Sequence, residues 1–296
     1  MSPARPAWRQ RTARVVHQEA VAAGHHRLEI EVPLPFAVPA PGQFVQLRLT
    51  APRPVLLPRP MSVSGVTRRP RALRVEFLYA AVGAGTRALA RLEPGAEVGV
   101  LGPLGRGFPL AHPGTPVLVA GGRGVAPLLF AADVLAGSRR GGQPRRPAVL
   151  LAGARTRALL VGLAEAHRRL ARHGGRLHVC TDDGSLGPRA DVVRLLDRVA
   201  PGLAGPLVLH ACGPHAMLGA VARWALAHGV PAFVAMESMM ACGTGVCRGC
   251  ALPRSAAAQA GYDPASPSLH GNREWAMCCT EGPVFAAGDL DWERIT

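Results

Sequence analysis

Residues 115–137 read TPVLVAGGRGVAPLLFAADVLAG. Thr115–Gly121 is apolar without alternation, the pattern of a strand buried on both faces. Gly121, Gly122 and Gly124 turn the chain, and Val125–Gly137 then carries a helical pattern. The unit recurs downstream. Strands are predicted in RPAVLLAGA (146–154), RLHVCTDDG (176–184), GPLVLHACGP (205–214) and VPAFVAMES (230–238). Helices are predicted in residues 157–175, 190–202 and 215–229. Strands alternating with helices imply a parallel α/β sheet.

Upstream the rhythm differs. GHHRLEIEV (24–32), GQFVQLRL (42–49), RALRVEFLYAAV (71–82) and AEVGVLGP (96–103) are short strand patterns bounded by turn residues. They predict a small antiparallel barrel. Downstream, MMACGTGVCRGC (239–250) sets Cys242, Cys247 and Cys250 in a C-x4-C-x2-C run, with Cys278 and Cys279 following. That is the spacing of a plant-type [2Fe–2S] cluster, which needs a fourth thiolate from further along. Gly243, Gly245 and Gly249 let the chain wrap tightly around such a centre. A structural zinc site would want a second C-x2-C pair, and two adjacent cysteines chelate poorly. The predicted organisation is β + α/β: barrel at 1–110, parallel α/β domain at 111–236 and cluster subdomain at 237–296. PRSAAAQAGYDPASPSLHGN (253–272) reads as a loop.

Composition narrows the class. At 48% apolar residues the chain can bury sizeable cores. All 34 Lys and Arg residues are Arg, and the net charge of +15 is scattered without a nucleic-acid-binding signature. No apolar h-region follows the basic N-terminal stretch, and no apolar run reaches membrane-spanning length. A soluble cytoplasmic protein is expected. Cys180 and Cys212 follow strand patterns and read as buried thiols.

Several short motifs carry chemistry. The turn Ala120-Gly121-Gly122-Arg123-Gly124 aims free N–H groups and a positive helix end at one point, which suits a pyrophosphate. Cys212-Gly213-Pro214 ends a later strand of the same sheet, where ligands of open α/β sheets bind. In Arg59-Pro60-Met61-Ser62, Arg can clamp a phosphate and Ser can bond a flavin edge. Gly83, Gly85 and Thr86 precede a helix pattern and offer a second phosphate-binding turn. Each also has an ordinary reading as a turn or helix start. Asp182-Asp183-Gly184 reads most simply as a turn. Arg155 and Arg157 could meet a 2′-phosphate or face solvent, which leaves NAD against NADP open.

The order R-P-x-S, G-x-G-T, glycine-rich turn and C-G-P-x-x-M resembles the ferredoxin-NAD(P)H reductase superfamily over about residues 10–235. VGAGTRALARLEPG, GPLGRGF, TDDGSLG, ESMMACGTGVCRGC and CTEGPVF are similar to the dihydroorotate dehydrogenase B electron-transfer subunits over nearly the whole chain. The resemblance implies FAD in the barrel, with contacts that include Pro60, Met61, Leu78, Tyr79 and Ala80. It also implies NAD in the α/β domain and a [2Fe–2S] cluster. The fourth ligand falls on Cys279, three residues before Gly-Pro. The chain departs from the family pattern at Ala120, at Arg123, at Tyr79-Ala80-Ala81 and in a longer Cys250–Cys279 loop.

Electron counting reaches the flavin independently. Nicotinamide moves a hydride and an iron–sulfur centre moves one electron, whereas a flavin can do both. No catalytic triad or paired carboxylate is found. The expected role is a subunit passing electrons between NAD and a partner flavoenzyme through FAD and [2Fe–2S]. The partner implied is an FMN-bearing dihydroorotate dehydrogenase catalytic subunit, two chains of each, with neither nucleic acid nor membrane involved. This chain alone should not oxidise dihydroorotate. The alternatives are a ferredoxin-type or hydrogenase-associated reductase subunit and a ring-oxygenase reductase. The last fits badly, because a complete ferredoxin needs a substantial β-rich segment and only a few residues separate the last predicted strand from Cys242. A zinc-bearing binding module is the non-enzyme alternative.

Overall fold

The computed structural model describes residues 8–50, 55–137, 147–265 and 270–295. The start of the basic N-terminal stretch (1–7) and residues 266–269 of the predicted loop lie outside them.

The N-terminal half is a seven-stranded antiparallel sheet. Its elements are β1 (Arg9–Ala22), β2 (His25–Pro33), β3 (Phe44–Leu49), β4 (Arg59–Ser62), β5 (Gly65–Arg68), β6 (Ala72–Ala80), the short helix α1 (Ala84–Leu89) and β7 (Glu97–Leu104). The strand order is β4-β3-β7-β1-β2-β6-β5. The first and last strands in that order are separated in sequence only by Val63 and Ser64, so the sheet must curl until its edges meet. Val63 donates to Gln43 on one edge and Ser64 to Glu76 on the other. Leu28, Ile30, Val45, Leu47, Val75 and Phe77 fill the interior. Strand β1 is absent from the sequence expectations. Its Arg, His and Gln residues hide an alternation in which Ala13 and Val15 point inward.

The second half holds β8 (Thr115–Gly121), α2 (Val125–Gly137), β9 (Val149–Ala154), α3 (Leu163–Ala171), β10 (Arg176–Thr181), α4 (Val192–Val199), β11 (Leu207–Cys212), α5 (His215–Ala227) and β12 (Ala232–Ala235). These five strands are parallel. Val117 and Val119 pack with α4 and α5 on one face, while Leu118 and Ala120 pack with α2 and α3 on the other. Burial on both faces is why these strands read as unbroken apolar runs. From β8 the chain builds outward through β9 and β10, then returns to build through β11 and β12. The carboxyl ends of β8 and β11 therefore flank the topological switch point, where such sheets bind ligands.

The C-terminal region adds β13 (Ala251–Pro253), α6 (Ala256–Ala260), β14 (Trp275–Met277) and β15 (Val284–Ala286). The predicted loop thus contains a short helix, capped by Ser255 accepting from the Ala258 N–H. Strand β15 pairs antiparallel with β12 and becomes the sixth strand of the α/β sheet. The C-terminal region is therefore tied to the α/β sheet by main-chain hydrogen bonds.

Arg169 of α3 clamps the two halves together. It is buried and donates to Glu76 of β6 at 2.8 Å and to the Ser64 carbonyl at 2.9 Å in the barrel. On its own side it meets Asp133 at 3.0 Å and Glu165 at 2.6 Å. Burial opposes the charge, but the carboxylates outweigh it and hold the guanidinium more firmly protonated than usual. Removing one partner of a buried charge network strands the rest, at about 3–5 kcal/mol. Arg169→Met should lose that much in urea unfolding while keeping its secondary structure by circular dichroism.

Candidate functional site

Two adjacent cavities open at the switch point. The first, of about 560 Å³, lies over the ends of β8, β9, β10 and β11. Gly121, Gly122, Gly124, Gly213 and Pro214 line it, joined by Arg155 and Asp182. The two turns touch closely. A Cβ on Gly124 would stand 2.1 Å from the Cys212 carbonyl oxygen, so only glycine fits there. The N-terminus of α2 follows directly, and its free N–H groups and dipole favour an anionic ligand. Arg123 reaches across to Glu237, 3.6 Å away. Asp183 closes its own turn by accepting from the Ser185 N–H and hydroxyl, while Asp182 faces the cavity.

The second cavity, of about 270 Å³, lies between the barrel and the α/β domain. Arg59, Pro60, Met61 and Ser62 form one wall, Leu78, Tyr79, Ala80 and Thr86 another, and Cys212 lies at the sheet end. It is mostly apolar with a few convergent polar groups, as ligand pockets are. Cys212 is buried and its thiol is pushed up by desolvation. The Tyr79 hydroxyl accepts from Gln18 at 2.7 Å, and burial pushes its pKa up to about 12. Thr86 turns its hydroxyl back to the Gly83 N–H at 3.0 Å. Gly83 and Gly85 line neither cavity. Gly85 instead lies against Arg59, where a Cβ would meet the Arg59 Cδ at 3.0 Å. Arg123 and Glu237 line both cavities and so stand on their shared wall. Sequence reasoning missed Phe44, Met240 and Pro283 in this lining. The only trace was Pro283 and Met240 falling within the quoted GPVF and ESMM stretches.

The five C-terminal cysteines separate into two pairs and a bystander. The Cys242 and Cys247 sulfurs are 3.3 Å apart. The N–H groups of Thr244 and Cys247 both point at the Cys242 sulfur, each at 3.4 Å. Desolvation opposes ionisation of that thiol, but these hydrogen bonds prevail and lower its pKa to about 6. Gly243 and Gly245 adopt φ of +72° and +87°, which lets the loop present these donors inward. The second pair is Cys250 and Cys279. Strands β13 and β14 pair Ala251 with Met277, and Cys278 donates to the Cys250 carbonyl at 3.0 Å. This ladder carries the Cys279 N–H to 3.4 Å from the Cys250 sulfur. The two thiols share a hydrogen bond that lowers the Cys250 pKa to about 7 and raises that of Cys279. Buried Glu281 locks the arrangement by accepting from the Gly271 and Met277 N–H groups and pairing with Arg254. Cys278 is buried and its sulfur faces the Met236 carbonyl instead.

Among the described residues, no three His, Cys, Asp or Glu side chains converge where a single metal ion could sit. Two thiol pairs fit a centre with two irons, each taking two thiolates. Loop N–H groups aimed at sulfur suit the same centre.

No family model matches the chain. It is 32% identical over 282 residues to the "Dihydroorotate dehydrogenase B (NAD(+)), electron transfer subunit" of Desulforamulus reducens, covering 95% of this chain and 98% of that one. It is 33% identical over 283 residues to the subunit of the same description from Shouchella clausii, covering 93% and 96%. Among solved structures, an NADH-dependent reduced ferredoxin-NADP oxidoreductase matches with a TM-score of 0.74 at 25% identity, over 95% of this chain and 90% of that one.

The two orientations of the adjacent cysteines make a sharp expectation. Cys279→Ser should lose most protein-bound iron and sulfide. Cys278→Ser should keep them, because its sulfur faces away. Iron and sulfide assays on anaerobically purified variants check this, and the opposite pattern would move the fourth ligand to Cys278.

Proposed function

The chain belongs to the family of dihydroorotate dehydrogenase B electron-transfer subunits, and from that premise we propose that it carries electrons from a dihydroorotate-oxidising partner to NAD. FAD occupies the cavity between barrel and sheet, NAD the cavity at the switch point, and a [2Fe–2S] cluster the four cysteines Cys242, Cys247, Cys250 and Cys279. The observation that carries this reading is the shared wall. The cavity at the switch point and the apolar cavity beside the barrel meet at Arg123 and Glu237, and the second is lined by Met240, two residues before Cys242.

In this reading the residues position rather than react. The Gly121–Gly124 turn and the start of α2 hold the pyrophosphate of the dinucleotide. Arg59 pairs with a phosphate of the flavin nucleotide, and Ser62 faces the ring edge. FAD bound there would supply the exchange between hydride and single-electron chemistry, which no side chain here supplies.

The catalytic subunit docks over the cluster loop. Cys247 is exposed there, and the neighbouring Met239 and Val246 are 90% and 82% exposed. Such an apolar rim suits a protein partner. The assembly is a cytoplasmic heterotetramer of two chains of each kind. Among the described residues no helix is long and apolar enough to cross a membrane. A second reading, a ferredoxin-linked reductase subunit, is favoured only by the structural match to the ferredoxin-NADP oxidoreductase.

The purified chain should reduce dyes with NADH but form no NADH from dihydroorotate and NAD. Adding an FMN-bearing catalytic subunit should switch that activity on. Absence of both a complex and activity with a competent catalytic subunit would favour the ferredoxin-linked reading.

A further inference from the structure

Gln46 is 1% exposed, yet neither its amide nitrogen nor its amide oxygen has a hydrogen-bond partner among the described residues. It lies on β3 between Val45 and Leu47, whose side chains fill the barrel interior. Alternation along the strand therefore turns Phe44 and Gln46 outward together. Phe44 lines the flavin cavity and packs in the same core as Cys250 and Cys279. Gln46 meets the cluster loop itself: a Cβ on Gly243, the residue after Cys242, would stand 2.8 Å from its Nε2. An unpaired buried amide destabilises the fold, and an apolar side chain would avoid that cost. A donor with no acceptor among the described residues, pressed on the loop that presents the Cys242 sulfur, is placed to meet anionic sulfur.

Resting on the cluster reading above, the geometry points to Gln46 as a positioning residue that donates a hydrogen bond from the barrel to the sulfurs of the [2Fe–2S] centre and sets its reduction potential. Hydrogen bonds to cluster sulfurs are one of the levers on such potentials. Reduction adds negative charge, so the donor stabilises the reduced form and raises the potential. Gln43, three residues earlier, makes the contrast. Its amide is also buried, but it accepts from the Ala40 N–H and donates to the Gly105 carbonyl, which is a purely structural role.

The test is a redox titration of the intact flavin- and cluster-loaded chain followed by EPR. Gln46→Met keeps the length and removes the donor. It should retain iron and sulfide but lower the cluster midpoint, shifting its reduction equilibrium about tenfold, ~59 mV for one electron. The flavin midpoint in the same sample should stay fixed. Gln46→Glu, which also lacks the N–H donors, should shift the cluster in the same direction. An unchanged cluster midpoint in Gln46→Met overturns the assignment. If both variants lose the cluster, 15N-glutamine-labelled unsubstituted protein decides. A 15N hyperfine coupling to the reduced cluster supports the bond, and its absence rejects it. A chain that binds no iron and sulfide at all would instead sink the cluster reading itself.

Discussion

One apolar core holds the working parts of this protein in fixed relation. Phe44 and Leu104 of the barrel pack in it with Val117, Val119 and Leu209 of the sheet and with Cys250, Cys278 and Cys279 of the C-terminal region. Electron transfer depends on distance, so three sites on independently tumbling domains would not serve. Here the barrel wall, the ends of β8 and β11 and the cysteine ladder share side-chain contacts. Strand β15 adds main-chain bonds to the sheet, and Arg169 pins the far side of the barrel. Rigidity is therefore built from hydrophobic burial first, with one buried charge network and one extra strand added to it.

Within that frame the chemistry is divided by electron number. The glycine turns at the switch point open on the larger cavity beside the start of α2, and the thiols stand in two pairs, Cys242 with Cys247 and Cys250 with Cys279. The cavity between them is bounded by both, through Arg123 and Glu237 on one side and Met240 and Pro283 on the other.

Much of this was legible in the sequence. Buried parallel strands announce themselves as apolar runs ended by glycine, so β8 to β12 and their helices could be read directly. The C-x4-C-x2-C run, Arg59–Ser62 and the Gly121–Gly124 and Cys212–Pro214 turns could also be read, because each is local. What was not legible depends on long-range pairing. Strands β13, β14 and β15 are three residues each, too short to show a period. The merging of β15 with the sheet is decided by β12, some fifty residues earlier. Phe44 and Glu237 enter the cavity between barrel and sheet only because distant elements converge. Gln46 looked like an ordinary polar residue of an alternating strand until the loop carrying Gly243 closed over it.

The central claim is that a two-electron site and a one-electron site communicate through the cavity they share. It is tested most directly by titrating the isolated, cofactor-loaded chain with NADH under anaerobic conditions while following flavin absorbance and low-temperature EPR together. The account predicts that the flavin band bleaches and that the signal of a reduced [2Fe–2S] centre grows with it. A flavin that bleaches fully beside an intact cluster that gives no such signal would contradict it.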